Sequence, residues 1–207
     1  MKKRTVALLC AAVMLLGVVF GGTMALLSKG SEPLTNTFKA GDIVIELTET
    51  DRTYVMAPGT RLPKDPTVSV KVGSEDCYLF VKVEESENSP VEWKAADGWH
   101  EVPDVENVFY RVFSKKEPDV EATDGKYLYP FLSEEDGIVG VNIPADLKKT
   151  DMDAFKDNKP TLTFTAYAIQ KDWLAGSVDL EGDYLTENEI AQIWQMVQSQ
   201  GVPAEKA

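Results

Sequence analysis

The amino-acid sequence predicts a mainly β protein, an antiparallel β-sandwich of about eight or nine strands with one C-terminal α-helix. Three observations lead to this fold class. Short runs of alternating apolar and polar residues recur between residues 38 and 170, and turn residues separate these runs at fairly even intervals. Only one segment, after residue 186, has the clear period of an amphipathic helix.

The predicted strands are segments with alternating polarity or with many β-branched and aromatic residues. Residues 78–83 alternate clearly, since Tyr78 and Phe80 fall on one face and three aliphatic residues fall on the other. Residues 151–160 are polar and are predicted to be a loop or a short helical turn. The other predicted strands are 43–47, 68–72, 108–113, 127–132, 138–143 and 161–170, and a predicted hairpin turn at residues 95–98, flanked by Trp93 and Trp99, adds one or two shorter strands.

The predicted C-terminal helix has recognisable signals at both ends. Thr186 stands three residues before Glu189, which is the spacing of a capping box, and Gly201 stands where a helix commonly ends. We expect its apolar stripe to dock on the sandwich, and an exposed partner-binding helix is the alternative. The stripe consists of Ile190, Ile193, Trp194 and Val197.

The first 25 residues have the features of an export signal. A basic start at residues 2–4 is followed by an uncharged apolar stretch, and small residues, Thr23 and Ala25, precede the predicted cleavage between Ala25 and Leu26. If it is not cleaved, the same stretch is long enough to span a bilayer. The predicted organisation is a signal at 1–25, a flexible segment at 26–37, a sandwich at 38–170, and an acidic linker and helix at 171–207.

Charge and cysteine content narrow the function classes. The formal charge of the chain is −13, and it becomes −16 without the three basic residues of the signal. Such a charge repels phosphate, so binding to nucleic acid is excluded.

Of the two cysteines, Cys10 lies in the signal, so the exported chain has only Cys77 and forms no internal disulfide. We expect Cys77 to be a half-buried strand residue.

No catalytic, cofactor-binding or metal-binding residue can be assigned from the sequence. The chain has one histidine, His100, whereas a catalytic zinc site normally uses two or three. Ser74 lacks the surroundings of a nucleophile elbow and is predicted to be a turn residue. Residues 151–155 begin like a calcium loop but do not continue as one. We expect no cofactor beyond weak calcium binding by acidic loops.

Several short motifs follow one another along the chain. They are Gly21-Gly22-Thr23-Met24-Ala25, Thr35-Asn36-Thr37-Phe38-x-x-Gly41-Asp42-Ile43-Val44-Ile45, Pro58-Gly59, Lys64-Asp65-Pro66-x-Val68-x-Val70, Gly73-Ser74-Glu75-Asp76-Cys77-Tyr78 with Val81-Lys82-Val83, and Phe164-Thr165-Ala166-Tyr167-Ala168-Ile169-Gln170. Together these motifs resemble the TasA/camelysin family of secreted proteins, over residues 17–170, which excludes the C-terminal helix. The motif at residues 21–25 also resembles the end of export signals cut by the SipW-type signal peptidase of spore-forming Gram-positive bacteria.

The resemblance implies a jelly-roll-like sandwich that is secreted to the extracellular matrix or the cell surface. For TasA-like members it implies a subunit of biofilm-matrix fibres, and for camelysin-like members a metallo-endopeptidase. The implied partners are a SipW-type signal peptidase and either further copies of this chain or other matrix proteins. No nucleic acid is expected as a partner, and contact with a membrane is expected only through an uncleaved signal.

Three hypotheses follow for the function. The first is a structural protein that assembles when the segment 26–37 of one copy completes a sheet of the next, with Leu26, Leu27, Leu34 and Phe38 as apolar anchors. The second is a camelysin-like metallo-endopeptidase that binds its metal through carboxylates. The third is a monomeric sandwich that binds cell wall or carbohydrate through the faces of Trp93, Trp99, Tyr127 and Tyr129.

Overall fold

The structure is a computed structural model that describes residues 42–51, 54–174, 186–200 and 205–206. The predicted export signal, its cleavage site between Ala25 and Leu26, and the predicted assembly segment 26–37 with Phe38 lie outside the described residues.

The described residues form twelve strands and three helical segments. Five of the strands have only two or three residues, which explains the excess over the eight or nine predicted. The strands are β1 (Ile45–Thr48), β2 (Arg61–Pro63), β3 (Thr67–Lys71), β4 (Cys77–Glu85), β5 (His100–Glu101), β6 (Val108–Phe113), β7 (Ala122–Thr123), β8 (Lys126–Pro130), β9 (Glu134–Glu135), β10 (Ile138–Asn142), β11 (Leu162–Gln170) and β12 (Glu205–Lys206). The helical segments are α1 (Lys149–Asp157), α2 (Lys171–Leu174) and α3 (Glu187–Gln200).

The strands pair into three sheets. The first has the order β12-β1-β3-β8-β7, the second β2-β10-β9, and the third β11-β4-β6-β5. All pairings between these strands are antiparallel except that of β12 with β1, which is parallel. The antiparallel β architecture predicted from the sequence is therefore confirmed, and its jelly-roll connectivity stays a prediction.

The main core lies between the first and third sheets. Val68 and Val70 of β3 are fully buried, and so are the aliphatic residues on one face of β4. Phe131 has the central position, with its ring centroid 5.3 to 6.0 Å from the rings of four aromatic neighbours. The alternation along β4 therefore separates this core from the outer face of the third sheet, as predicted.

The helix α3 covers that outer face. Its predicted apolar stripe is buried against Tyr78 and Phe80, the two aromatic residues on the outer face of β4. The Trp194 ring lies 5.4 Å from the ring of Phe80. The capping box is also present, because the backbone N–H of Glu189 donates to Thr186 Oγ1 at 3.3 Å and the backbone N–H of Thr186 donates to Glu189 Oε2. The prediction that the stripe docks on the sandwich is confirmed.

The structure has helices where the sequence gave weaker signals. Residues 149–157 form α1, a full helix in which no residue is buried, whereas a loop or a short helical turn was predicted. The backbone N–H of Lys148 donates to Asp151 Oδ2 at 2.9 Å, and Lys149 pairs with Asp153 at 2.7 Å. Local polar contacts rather than an apolar stripe therefore support α1. The short α2 begins the region predicted as an acidic linker, and its Leu174 is buried in the second core.

Candidate functional site

The outermost strands of the three sheets differ in length and in charge. Five of them, β2, β5, β7, β9 and β12, have two or three residues, and four of these five contain a charged residue or a proline. The sixth, β11, has nine residues and carries neither a charge nor a proline. Short or charged edge strands are protected against pairing with another chain, and β11 lacks both kinds of protection.

No other strand in the described part of the chain pairs with the outer side of β11. Its inner side pairs with β4 over all nine residues, from Leu162 opposite Glu85 to Gln170 opposite Cys77. This pairing holds β11 extended, so that a second row of backbone N–H and C=O groups faces away from β4. Such a row is a template for an added strand.

A cavity of about 190 Å³ lies where β1 and β11 come together. Part of its wall is apolar and part is polar. We call β1, β11 and this cavity the open edge of the sandwich. The residues that line the cavity are Leu47, Thr48, Glu49, Lys64, Pro66, Leu162, Thr163 and Phe164.

The apolar side chains along the open edge are incompletely covered. All four residues of β1 are half-buried, including Ile45 and Leu47, although these two side chains pack against the main core. Leu162 and Ala168 on β11 are half-buried in the same way. In contrast, both valines of the neighbouring strand β3 are completely buried. The open edge therefore keeps apolar surface that an added segment with apolar side chains would cover.

A buried ion pair forms the polar wall of the cavity. Lys64 is 8% exposed, and its Nζ contacts Glu49 Oε1. The same Nζ lies 5.1 Å from the ring centroid of Tyr54 and 5.3 Å from that of Phe164, within the range of a cation–π contact. The Tyr54 hydroxyl donates to Glu49 Oε1 at 3.1 Å. Burial, followed by the charge of Glu49, raises the pKa of Tyr54, so this hydroxyl keeps its proton at neutral pH.

Asp65 ties the end of β1 to the turn that precedes β3. Its carboxylate accepts a hydrogen bond from the backbone N–H of Thr50 at 2.9 Å and another from the Thr50 hydroxyl. Burial by itself would raise the pKa of Asp65, but the hydrogen bonds from Thr50, together with a hydrogen bond from its own backbone and the charge of Lys64, hold the pKa below its ordinary value. At neutral pH the carboxylate is therefore ionised, and it links Thr50, two residues after the end of β1, to the turn before β3.

The aromatic residues considered for carbohydrate binding belong to the main core. Trp99 and Tyr129 are buried, and Trp93 and Tyr127 are half-buried against the same core. The Trp93 and Trp99 rings both pack on Phe131, at 6.0 and 5.4 Å, and the second contact is edge-to-face. These four side chains therefore do not form an exposed coplanar pair on which a sugar ring could stack.

The other residues singled out in the sequence have structural surroundings. Ser74 is buried, and its hydroxyl accepts a hydrogen bond from the backbone N–H of Val44 at 3.2 Å. His100 is exposed on β5 and lies 5.6 Å from the ring of Tyr110. Cys77 is a strand residue as predicted, but it is completely rather than half buried. Within the described ranges, no three or more His, Cys, Asp or Glu side chains are grouped so that they could hold a metal ion.

Sequence reasoning did not identify the open edge. The absence of charge between residues 162 and 170 is visible in the sequence, but the position of β11 at the end of its sheet is not. Lys64 was noted only as part of a motif, because burial of a lysine depends on partners that are distant in sequence.

None of the helices in the described part of the chain is long and apolar enough to cross a membrane.

We compared the chain with models of known protein families, with curated proteins and with solved structures. None of the three comparisons found a match.

Proposed function

We propose that this protein is an exported structural subunit that assembles head to tail, with the segment 26–37 of one copy bound at the open edge of the next. The observation that carries the proposal is the outer side of β11, a nine-residue strand without charge, with which no strand in the described part of the chain pairs. The resemblance to the TasA/camelysin family supports the same function, a fibre subunit of a biofilm matrix or of the cell surface. Export would depend on a SipW-type signal peptidase.

The proposed occupant fits the site in its chemistry. The segment contains three leucines, Leu26, Leu27 and Leu34, and Phe38 follows it directly. Apolar side chains of this kind would cover the half-buried Leu47 and Leu162, and the backbone of the segment would pair with β11. Pro33 donates no backbone hydrogen bond, so it would divide the added strand into two parts.

Such an assembly can grow into a chain of subunits. The donor, segment 26–37, and the acceptor, the open edge, are different parts of the same chain, so a first contact between two copies leaves one donor and one acceptor unused. An interface of this heterologous type gives a ring or an open filament. A filament is what a structural role in a matrix requires.

The first test is the size of the assembled protein. We expect residues 26–207 to form particles that grow with concentration in light scattering and that appear as filaments in electron microscopy. We expect residues 38–207 to stay monomeric. The deleted segment contains one Lys and one Glu, so the deletion leaves the net charge unchanged and isolates the effect of the donor. Filaments formed by residues 38–207 would contradict the proposal.

The second test adds a charge to the open edge, which accepts the segment 26–37 of a neighbouring copy. Thr163 is exposed on β11 and lies opposite Glu84, so Thr163→Lys adds a charge to the open edge next to an acidic partner strand. We expect this variant to fold normally and to stay monomeric, since a lysine on an edge strand disfavours pairing with another strand. Thr123→Lys adds the same charge to the exposed, two-residue β7 and should assemble like the unmodified chain.

A further inference from the structure

The ion pair of Lys64 with Glu49 is more enclosed than any other ion pair between described residues. Only 10% and 14% of its two side-chain surfaces are exposed, whereas in every other such pair at least one side chain is exposed by 43% or more. Two charges removed from water lose much of their hydration, and their attraction offsets that loss only in part unless further hydrogen bonds satisfy both groups. In the described part of the chain, Lys64 Nζ donates to Glu49 Oε1 and to no other acceptor. A reaction that removed both charges would therefore be favoured here.

The pair also holds in contact the two groups that form an amide bond. Lys64 Nζ contacts an oxygen of the Glu49 carboxylate, so it lies next to the carboxyl carbon Cδ. The rings of Tyr54 and Phe164 flank Nζ at 5.1 and 5.3 Å and restrict the movement of the lysine side chain. Groups held together in this way react as if each were present at a concentration of about 10⁵ M or more.

The hydroxyl of Tyr54 is placed to assist at the carboxylate. It donates to Glu49 Oε1 at 3.1 Å, the same oxygen that Lys64 Nζ contacts. Burial, followed by the charge of Glu49, raises the pKa of Tyr54, so the hydroxyl keeps the proton that it donates. A donor directed at an oxygen on which negative charge develops stabilises the tetrahedral intermediate of amide formation.

We propose that Lys64 and Glu49 become joined by an amide bond, an intramolecular crosslink that forms once the chain has folded. The Lys64 ammonium first passes one proton to the Glu49 carboxylate, which gives a neutral amine and a carboxylic acid. The lone pair of Nζ then forms a bond to Cδ, and one C–O bond of the carboxyl group breaks. The departing oxygen leaves as water, with one hydrogen from the acid and one from the nitrogen, so no oxidant, reductant or further reactant is needed. The water leaves through the adjacent cavity, which both residues line.

The crosslink would join two sheets of the fold. Glu49 directly follows β1 of the first sheet, and Lys64 directly follows β2 of the second. A bond between them closes a loop in the unfolded chain and so favours the folded state. The inference does not depend on the proposed function, because a single subunit would form the bond without a neighbour.

The test is the intact mass of residues 26–207, measured after folding and then denaturation. We expect a mass lower by one water molecule than the sequence gives. Trypsin should release one branched product, in which residues 40–52, which contain Glu49, are joined to residues 62–71, which contain Lys64. A mass equal to that of the sequence would overturn the proposal. Loss of water without the branched product, as cyclisation at Asp124-Gly125 would cause, would overturn it too.

Two variants test which lysine reacts. Lys64→Arg keeps the positive charge, but its guanidinium stays protonated and forms no amide, so we expect the full mass of its sequence. Lys126→Arg is the matched control, because Lys126 pairs with Glu46 at a more exposed position, and this variant should lose one water like the unmodified chain. A branched product from Lys64→Arg, or the full mass for Lys126→Arg in a chain that is folded by circular dichroism, would contradict the assignment.

A third variant tests the hydroxyl of Tyr54. Tyr54→Phe keeps the ring beside Lys64 and removes only the hydroxyl. Chain recovered unfolded from inclusion bodies has not reacted, so refolding starts the reaction and mass spectrometry follows the loss of water with time. We expect Tyr54→Phe to react roughly 100-fold more slowly, as loss of one donor to the developing charge predicts. Equal rates in the two chains would overturn the role given to this hydroxyl.

Discussion

At the scale of single residues, Lys64 links the core to the open edge. Its side chain is about as enclosed as that of its partner Glu49, with 10% and 14% of the two side-chain surfaces exposed. An ion pair removed from water gains little net stability by itself, but loss of one partner leaves the other as an uncompensated charge. The aliphatic part of Lys64 also packs beside Phe164, in the wall of the cavity.

We therefore expect Lys64→Ala to lower the free energy of unfolding by about 3 kcal/mol in urea denaturation. Lys156→Ala is the matched control, because Lys156 pairs with Asp153 at 2.6 Å and both side chains are largely exposed. Its cost should be no more than about 0.5 kcal/mol. Equal costs for the two variants would show that the Lys64–Glu49 pair is not enclosed in solution.

Cys77 gives a second prediction at this scale. Burial, with a smaller contribution from the neighbouring charge of Asp76, raises the pKa of the thiol to about 12. The unfolded chain releases this proton near pH 8.5, so the contribution of the protonated thiol to stability is complete below that pH. It is then lost progressively as the pH rises towards 12.

The measurement is the reaction of the thiol with a disulfide reagent at pH 8. We expect slow reaction in the folded chain and fast reaction in urea, since only the thiolate is reactive and a buried thiol is also shielded. The stability of Cys77→Ala, measured from pH 8 to pH 10, should fall less steeply than that of the unmodified chain. Rapid modification of Cys77 in the folded protein would contradict its burial.

At the scale of elements, α3 determines whether the outer face of the third sheet is covered. Thr186 caps this helix, and loss of an N-cap side chain costs about 1 kcal/mol. We expect Thr186→Ala to lower the unfolding free energy by that amount and to leave the secondary structure intact by circular dichroism. Ser199→Ala is the control near the other end, where the hydroxyl donates to the backbone oxygen of Met196 at an exposed position. A smaller cost for Thr186→Ala than for Ser199→Ala would show that the cap is not formed.

Strands and faces were predictable because they depend on local pattern. The alternation in β4 correctly separated Leu79, Val81 and Val83 from the outer pair of aromatic residues, and the stripe of α3 correctly predicted docking. The helix α1 was only partly predicted, since it buries no residue and so has no apolar period to detect.

The open edge could not be predicted because it depends on long-range pairing. Which strand ends a sheet is decided by contacts between residues far apart in the chain, such as those of β4 with β11. The pairing of β12 with β1 is of the same kind, since two residues without a pattern gave no signal. Burial of Lys64 likewise follows from Glu49, Tyr54 and Phe164, which meet only in the folded chain.

At the scale of the whole molecule, charge opposes assembly. Without the signal each subunit carries a formal charge of −16, so neighbouring subunits repel one another at neutral pH. Salt screens this repulsion over about 10 Å at 0.1 M. We expect light scattering to show faster assembly of residues 26–207 as ionic strength rises from about 0.02 to 0.5 M, and also as the pH falls towards 5. Assembly that slows with added salt would show that attraction between charges, rather than apolar contact, holds the subunits together.

The central claim is that one copy donates residues 26–37 and the next accepts them at the open edge. The most direct test mixes two chains that each lack one half of the contact: residues 38–207, which have no donor, and residues 26–207 with Thr163→Lys, which have a blocked acceptor. Light scattering with mass analysis should find each chain monomeric alone and a one-to-one heterodimer in the mixture, with no larger species. Filaments from either chain alone, or no complex in the mixture, would contradict the account.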